Sequence, residues 1–105
     1  MTRIPLPARR EGETFTLEWF DGRMIARHDF GLSRFSDGRV AEVFSYVFYG
    51  KGGDGETYAR DASIILSLAL QHGTPLDTIQ KALTRDDKDA PATIIGAIVE
   101  KLAAL

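Results

Sequence analysis

Cysteine is absent from this chain of 105 residues. That excludes a disulfide framework, a thiolate nucleophile and any zinc site built on thiolates. Long apolar runs are missing too. The longest, Ala62 to Leu70, is broken by Ser63 and Ser67, and a bilayer span takes about 18 or more consecutive apolar residues. The opening stretch from Met1 to Pro7 contains no apolar core of the signal-peptide kind. Nor is there a strong charge of either sign: the formal net charge is -2, so no global field draws the chain to nucleic acid or to an anionic membrane. The two histidines, His28 and His72, are far apart, and the acids near them (Asp29, Asp77) follow no zinc-ligand spacing. These absences together predict a cytoplasmic chain with no metal, no cofactor, and neither a nucleic-acid nor a membrane partner.

What is present is ordinary globular composition, 44% hydrophobic and 27% charged, which argues for one folded domain rather than disorder. Residues 1–12, rich in Pro and Arg, read as an extended arm ahead of a single domain at 13–105. Within the arm, Arg9-Arg10-Glu11 reads as solvated surface. Thr14-Phe15-Thr16-Leu17-Glu18-Trp19 alternates with period two, the pattern of a half-buried strand with Phe15, Leu17 and Trp19 on one face. Asp21-Gly22 has the composition of a two-residue hairpin turn, with Gly taking the positive φ. Such a turn sets Trp19 opposite Met24, Leu17 opposite Ala26 and Phe15 opposite His28, which places His28 on the apolar face as a core-edge histidine.

A second turn at Ser36-Asp37-Gly38 leads into a strand from Arg39 to about Tyr49. It is β-branched and aromatic throughout. One face is expected to meet helices and the other to carry Val40, Glu42, Phe44, Tyr46 and Phe48, or the reverse; periodicity leaves the choice open. An aromatic face without a helix over it would mark an interface, and self-association through it is the expectation.

Three helices follow. The first, from roughly Glu56 to Gln71, has apolar residues at Tyr58, Ala62, Ile65, Leu66 and Ala69 and a second row at Ile64 and Leu68, so it is expected to be the central buried helix. Gly73 supplies its C-terminal stop, and His72 suits the dipole of its last turn. Thr74 reads as the cap of a second helix, with Pro75 in first position and Asp77 three residues after the cap. A charged linker, Arg85 to Asp89, precedes a last helix opened by Pro91, with Ile94, Ile95, Ile98, Val99, Leu102 and Leu105 along one side. Strands first and helices after predict an α+β domain: a three-stranded antiparallel meander with three helices packed on one face.

Local chemistry offers few sites. The loop Gly50-Lys51-Gly52-Gly53-Asp54-Gly55, between a strand and a helix, can present backbone N–H groups and the Lys51 charge to a phosphate. It matches neither the Walker pattern nor Gly-x-Gly-x-x-Gly. Asp54 and Glu56 stand where an anion would sit, which suits a helix cap better. No nucleophile-elbow spacing surrounds any serine, and Arg60-Asp61 reads as a surface pair.

One set of segments is familiar. Asp37-Gly38-Arg39-Val40-Ala41-Glu42-Val43-Phe44, the Gly50-Lys51-Gly52-Gly53 loop, Ala59-Arg60-Asp61-Ala62 and Ser67-Leu68-Ala69-Leu70-Gln71-His72-Gly73-Thr74-Pro75-Leu76 resemble the TSCPD domain. That domain occurs near the C-terminus of vitamin B12-dependent ribonucleotide reductases and as short free-standing proteins. Pro5 to Arg10, Glu13-Thr14-Phe15 and Lys81 to Asp86 look like the free-standing form, so the similarity spans roughly residues 5–100. The Thr-Ser-Cys-Pro-Asp-like stretch that gives the family its name has no counterpart here.

Reductase chemistry needs a radical cysteine and a reducing cysteine pair, so this chain cannot perform it alone. The resemblance implies a non-catalytic binding or accessory module tied to deoxyribonucleotide synthesis, with a ribonucleotide reductase subunit as partner. It also implies a glycine-loop ligand site at Gly50, Lys51, Gly52, Gly53 and Arg60, and motif positions at Gly38, Arg39, Glu42, Gln71, His72 and Gly73. The alternative is a homodimeric structural domain with no nucleotide link. A third reading is a small hydrolase or transferase using His28 or His72.

Overall fold

The computed structural model describes residues 12–20, 25–49 and 54–105. Strand β1 (Gly12–Phe20) pairs antiparallel with β2 (Ile25–Arg34), and β2 pairs antiparallel with β3 (Val40–Tyr49), giving a sheet in sequence order. Helices α1 (Asp54–Gln71), α2 (Leu76–Ala82) and α3 (Ile94–Ala103) follow. The fold is therefore the expected α+β meander. Helix α1 lies on β3, α3 reaches β1 and α1, and α2 packs on α3. Among the described residues no helix is long and apolar enough to cross a membrane. The N-terminal arm before Gly12, the Asp21-Gly22 turn and the loop Gly50 to Gly53 lie outside the described residues.

The first hairpin is shifted from its expected register. Trp19 faces Ala26, Leu17 faces His28, Phe15 faces Phe30, and pairing ends at Phe20 and Ile25. Four residues, not two, separate the paired strands. Because the slip is by two positions, every side chain keeps its face. Phe15 and Leu17 still pack against the core with His28, which is fully buried.

Two irregularities in β2–β3 pairing reshape the third strand. One falls between Asp29 and Phe30, where Tyr46 is the extra residue; the other falls between Ser33 and Arg34, where Ala41 is extra. Each inserted residue breaks the period-two alternation. Val40 thus packs against the core, and Phe48 pairs with His28. The face expected to run from Val40 to Phe48 is shortened to Glu42, Phe44 and Tyr46, and this is the face turned away from the helices. The turn between the strands forms as read: Gly38 adopts φ 94°, and the Asp37 carboxylate accepts from the Arg39 backbone N–H at 3.0 Å.

The core gathers Phe30, Leu32, Val43, Leu66, Leu70, Ile98, Val99 and Leu102. Helix α1 departs from expectation here. It buries Ala59, Ser63, Leu66 and Leu70, while Tyr58, Ile64, Ile65 and Leu68 face outward. The reason is polar. Ser67 Oγ accepts from the Val43 N–H at 2.8 Å, and Gln71 Nε2, buried, donates to the Ala41 carbonyl at 3.1 Å. Those backbone groups belong to β3, an edge strand of the sheet, and they need partners. Rotating α1 to bury Ile65 would break both bonds.

The helix starts also differ. Thr74 does not cap α2; Pro75 holds the N-cap position with no side-chain bond. Helix α3 begins at Ile94 rather than at Pro91, because the Thr93 hydroxyl accepts from the Gly96 N–H at 3.1 Å. Pro91 instead forms a bridge to Arg85. The charged linker is a knotted turn. Asp86 Oδ1 accepts from the Lys88 and Ala90 N–H groups, both at 2.9 Å, and Arg85 binds the Asp89 carbonyl and carboxylate.

Among the described residues, three carboxylates hold pKa values below their ordinary ones. Glu13 is lowered by its hydrogen bond to Arg34, Asp37 by the Arg39 N–H and guanidinium, and Asp86 by the Ala90 and Lys88 N–H groups. A depressed carboxyl pKa contributes stability that is present above the unfolded value and lost as pH falls through the folded one. Starting from ordinary values of 4.5 for Glu and 3.8 for Asp, the loss occurs below those values. Thermal denaturation should therefore show a falling Tm as pH drops below about 4. The variant Asp86→Asn, which keeps an acceptor oxygen but cannot titrate, should lose less over that window. An equal loss would remove Asp86 from the account.

Candidate interaction surfaces

The open face of the sheet carries an aromatic pair on β3, set on a polar ground. Phe44 and Tyr46 stack with ring centroids 6.4 Å apart and are 38% and 55% exposed. Tyr46 lies over Gly31, where an added Cβ would come within 2.7 Å of its ring. Glycine at that position is thus what lets the ring lie against the strand. Around the aromatics, Thr16 donates to Asp29 at 2.8 Å and Ser33 to Glu42 at 2.7 Å.

The two longest familiar segments, separated by more than twenty residues in sequence, meet in space. Phe35, Arg39 and Val40 form one wall of a cleft of about 420 Å³; Leu70, Thr74 and Leu76 belong to the other. Arg39 stands with its guanidinium 5.0 Å from the centre of the Phe35 ring and its Nε 2.7 Å from the Asp37 carboxylate. The cation therefore sits over an aromatic ring at the cleft wall. Gly73, also lining it, takes φ 92° and ends α1 as expected.

The remaining motif positions have local duties. Glu42 receives the Ser33 hydroxyl on the open face, Gln71 holds β3, and His72 Nδ1 sits 2.8 Å from the Leu68 carbonyl at the end of α1. A proton on Nδ1 makes that contact a hydrogen bond to one of the last helix carbonyls. Arg60 is exposed on α1; its proposed companions in the glycine loop lie outside the described residues. His28 is enclosed beneath the sheet, with Nε2 at 3.0 Å from the Ser45 hydroxyl. Among the described residues no group of three or more His, Asp or Glu side chains is placed to hold a metal ion.

Sequence reasoning missed the roles of Ser67 and Gln71. Their signal was there: Ser63, Ser67 and Gln71 make a polar row at spacings of four beside the apolar positions of the helix. It also read the outward surface of α1 as core. A second hollow, about 690 Å³, lies at the far end between Trp19, Phe20 and the loop from Asp86 to Ala92. There the Trp19 indole N–H points at the Pro91 carbonyl, 3.4 Å away.

Comparison of the chain with protein-family models, with curated proteins and with solved structures finds no match in any of the three.

Proposed function

We propose that this chain is a non-catalytic accessory module of the TSCPD type that acts by binding and serves deoxyribonucleotide synthesis, with a ribonucleotide reductase subunit as its partner. The observation that carries the reading is the cleft between Phe35-Arg39 and Leu70-Thr74, where the two longest segments resembling that family come together. An arginine over an aromatic ring at a cleft wall, its charge balanced by Asp37, suits a planar ligand group such as a nucleotide base. Binding is also the role that the resemblance leaves to a chain without the cysteines of reductase chemistry.

Two measurements test it. Nucleoside and deoxynucleoside phosphates are screened by thermal shift, and the chain is titrated against a ribonucleotide reductase subunit. A ligand of the folded state alone stabilises by about 2.7 kcal/mol at a hundred times its Kd, which for a domain of this size is several degrees in Tm. Arg39→Ala should abolish that shift. Absence of both a nucleotide shift and reductase binding would overturn the reading.

The alternative, a homodimeric domain paired through the aromatic sheet face, draws on the exposed Phe44–Tyr46 stack. Replacing both aromatics with serine should then abolish association.

A further inference from the structure

Helix α1 carries a second stripe beside the one it buries. Tyr58, Ala62, Ile65 and Ala69 recur at spacings of four, three and four residues, the spacing of a two-helix seam. Large and small side chains alternate along it. Ala62, Ile65 and Ala69 form one wall of an apolar groove of about 200 Å³, and Ile79, Leu83 and Ile95 from α2 and α3 belong to the other.

Tyr58, Ile64, Ile65 and Leu68 are 69%, 52%, 67% and 41% exposed. At about 200 Å² per full side chain, that is on the order of 450 Å² of apolar surface from α1 alone. Monomers rarely leave contiguous patches larger than a few hundred Å². Tyr58 and Ile65, the two large residues on the stripe, supply on the order of 270 Å² of that surface, about a third of the roughly 800 Å² that each partner contributes to a standard interface, before any groove residue of α2 or α3 is counted.

The geometry points to a second copy of this chain as the occupant, paired through α1 antiparallel about a two-fold axis. The alternation decides the partner and the direction. With the axis crossing between Ser63 and Ile64, Tyr58 of one copy meets Ala69 of the other, and Ile65 meets Ala62. Each large side chain of the stripe then faces an alanine, which makes the stripe self-complementary about the two-fold axis. A parallel pairing would set Tyr58 on Tyr58 and alanine on alanine, with clashes alternating with voids. The surface is separate from the Phe44–Tyr46 face and from the Arg39 cleft, so it stands apart from the function proposed above.

The test uses the full chain in sedimentation velocity and equilibrium. The expected result is a dimer at tens of micromolar, by analogy with modest interfaces of this size. Ile65→Glu, at an outward position, should weaken it at least tenfold without changing the far-UV circular dichroism. Exchanging the pair, Ala62→Ile with Ile65→Ala, should restore dimerisation relative to Ala62→Ile alone, because each isoleucine again faces an alanine. The native chain has no cysteine, so direction can be read by oxidation. Tyr58→Cys mixed with Ala69→Cys should cross-link, and Tyr58→Cys by itself should not.

A monomer at all these concentrations overturns the proposal. So does a dimer indifferent to Ile65→Glu, which would place association on another face, or self-cross-linking of Tyr58→Cys. Loss of reductase binding in Ile65→Glu, with the chain monomeric throughout, would assign the groove to that other partner and likewise overturn it.

Discussion

Phe30→Ala is expected to lower stability by about 3–5 kcal/mol, the usual cost of emptying a fully buried phenylalanine site. Phe30 is completely buried on the central strand. Its ring stacks on Phe15 from β1 with centroids 5.6 Å apart and lies beside His28 on its own strand. Removing it takes away the contact between two strands and the surface on which the core residues of α1 and α3 rest. Backbone hydrogen bonds hold the sheet at fixed spacing, so the cavity cannot collapse fully. A domain of this size has roughly 5–15 kcal/mol in total. The variant should therefore melt far below the parent or be partly unfolded at room temperature in urea titration. Phe30→Leu, which refills most of the volume, should recover more than half of the loss. A destabilisation under 1.5 kcal/mol for Phe30→Ala would mean that this ring is not at the centre of the core.

The double variant Ser67→Ala with Gln71→Leu is expected to cost roughly 2–5 kcal/mol, since each change strips a partner from a buried backbone group. The Val43 N–H loses the Ser67 hydroxyl, and the Ala41 carbonyl loses the Gln71 amide. Both groups lie on the side of β3 away from β2. Unsatisfied and less closely covered, that edge becomes a template for pairing with another chain. Two readouts are expected together: a lower midpoint in urea and aggregation that grows with protein concentration. Since the two side chains sit one helical turn apart on one face, their effects should not add. A variant as stable and as soluble as the parent would show that α1 is held by its apolar contacts alone.

Much of the fold was legible because local rules agreed with one another. The alternation from Thr14 to Trp19 produced β1, and its odd-numbered residues do face the helices. Ser36-Asp37-Gly38 formed the turn its composition predicted, with Gly38 at positive φ. Gly73 ended α1 for the same reason. Helix starts were less legible. Thr74 and Thr93 carry the same capping chemistry, yet only Thr93 caps: its hydroxyl accepts from the Gly96 N–H, while Pro75 takes the N-cap position of α2.

The sites were harder to read. Arg39 and Gly73 were singled out from separate segments, and only the folded chain brings them to one cleft. Gln71 was singled out for resemblance, with no sign that its amide would reach the Ala41 carbonyl. The aromatic face was expected to run the length of β3. Two inserted residues, Tyr46 and Ala41, cut it to its middle. A bulge leaves no mark in a strand that is apolar on both sides, since either register looks equally good.

By itself, then, the amino-acid order determined the element types, their succession and the exclusion of thiol chemistry. These follow from backbone dihedral preference, side-chain period and the inventory of reactive groups, all of which are local. Tertiary structure alone decided the hairpin register, the rotation of α1 and hence which of its apolar residues meet water. Those depend on where the unpaired groups of an edge strand find partners, a balance struck between segments that are distant in the chain.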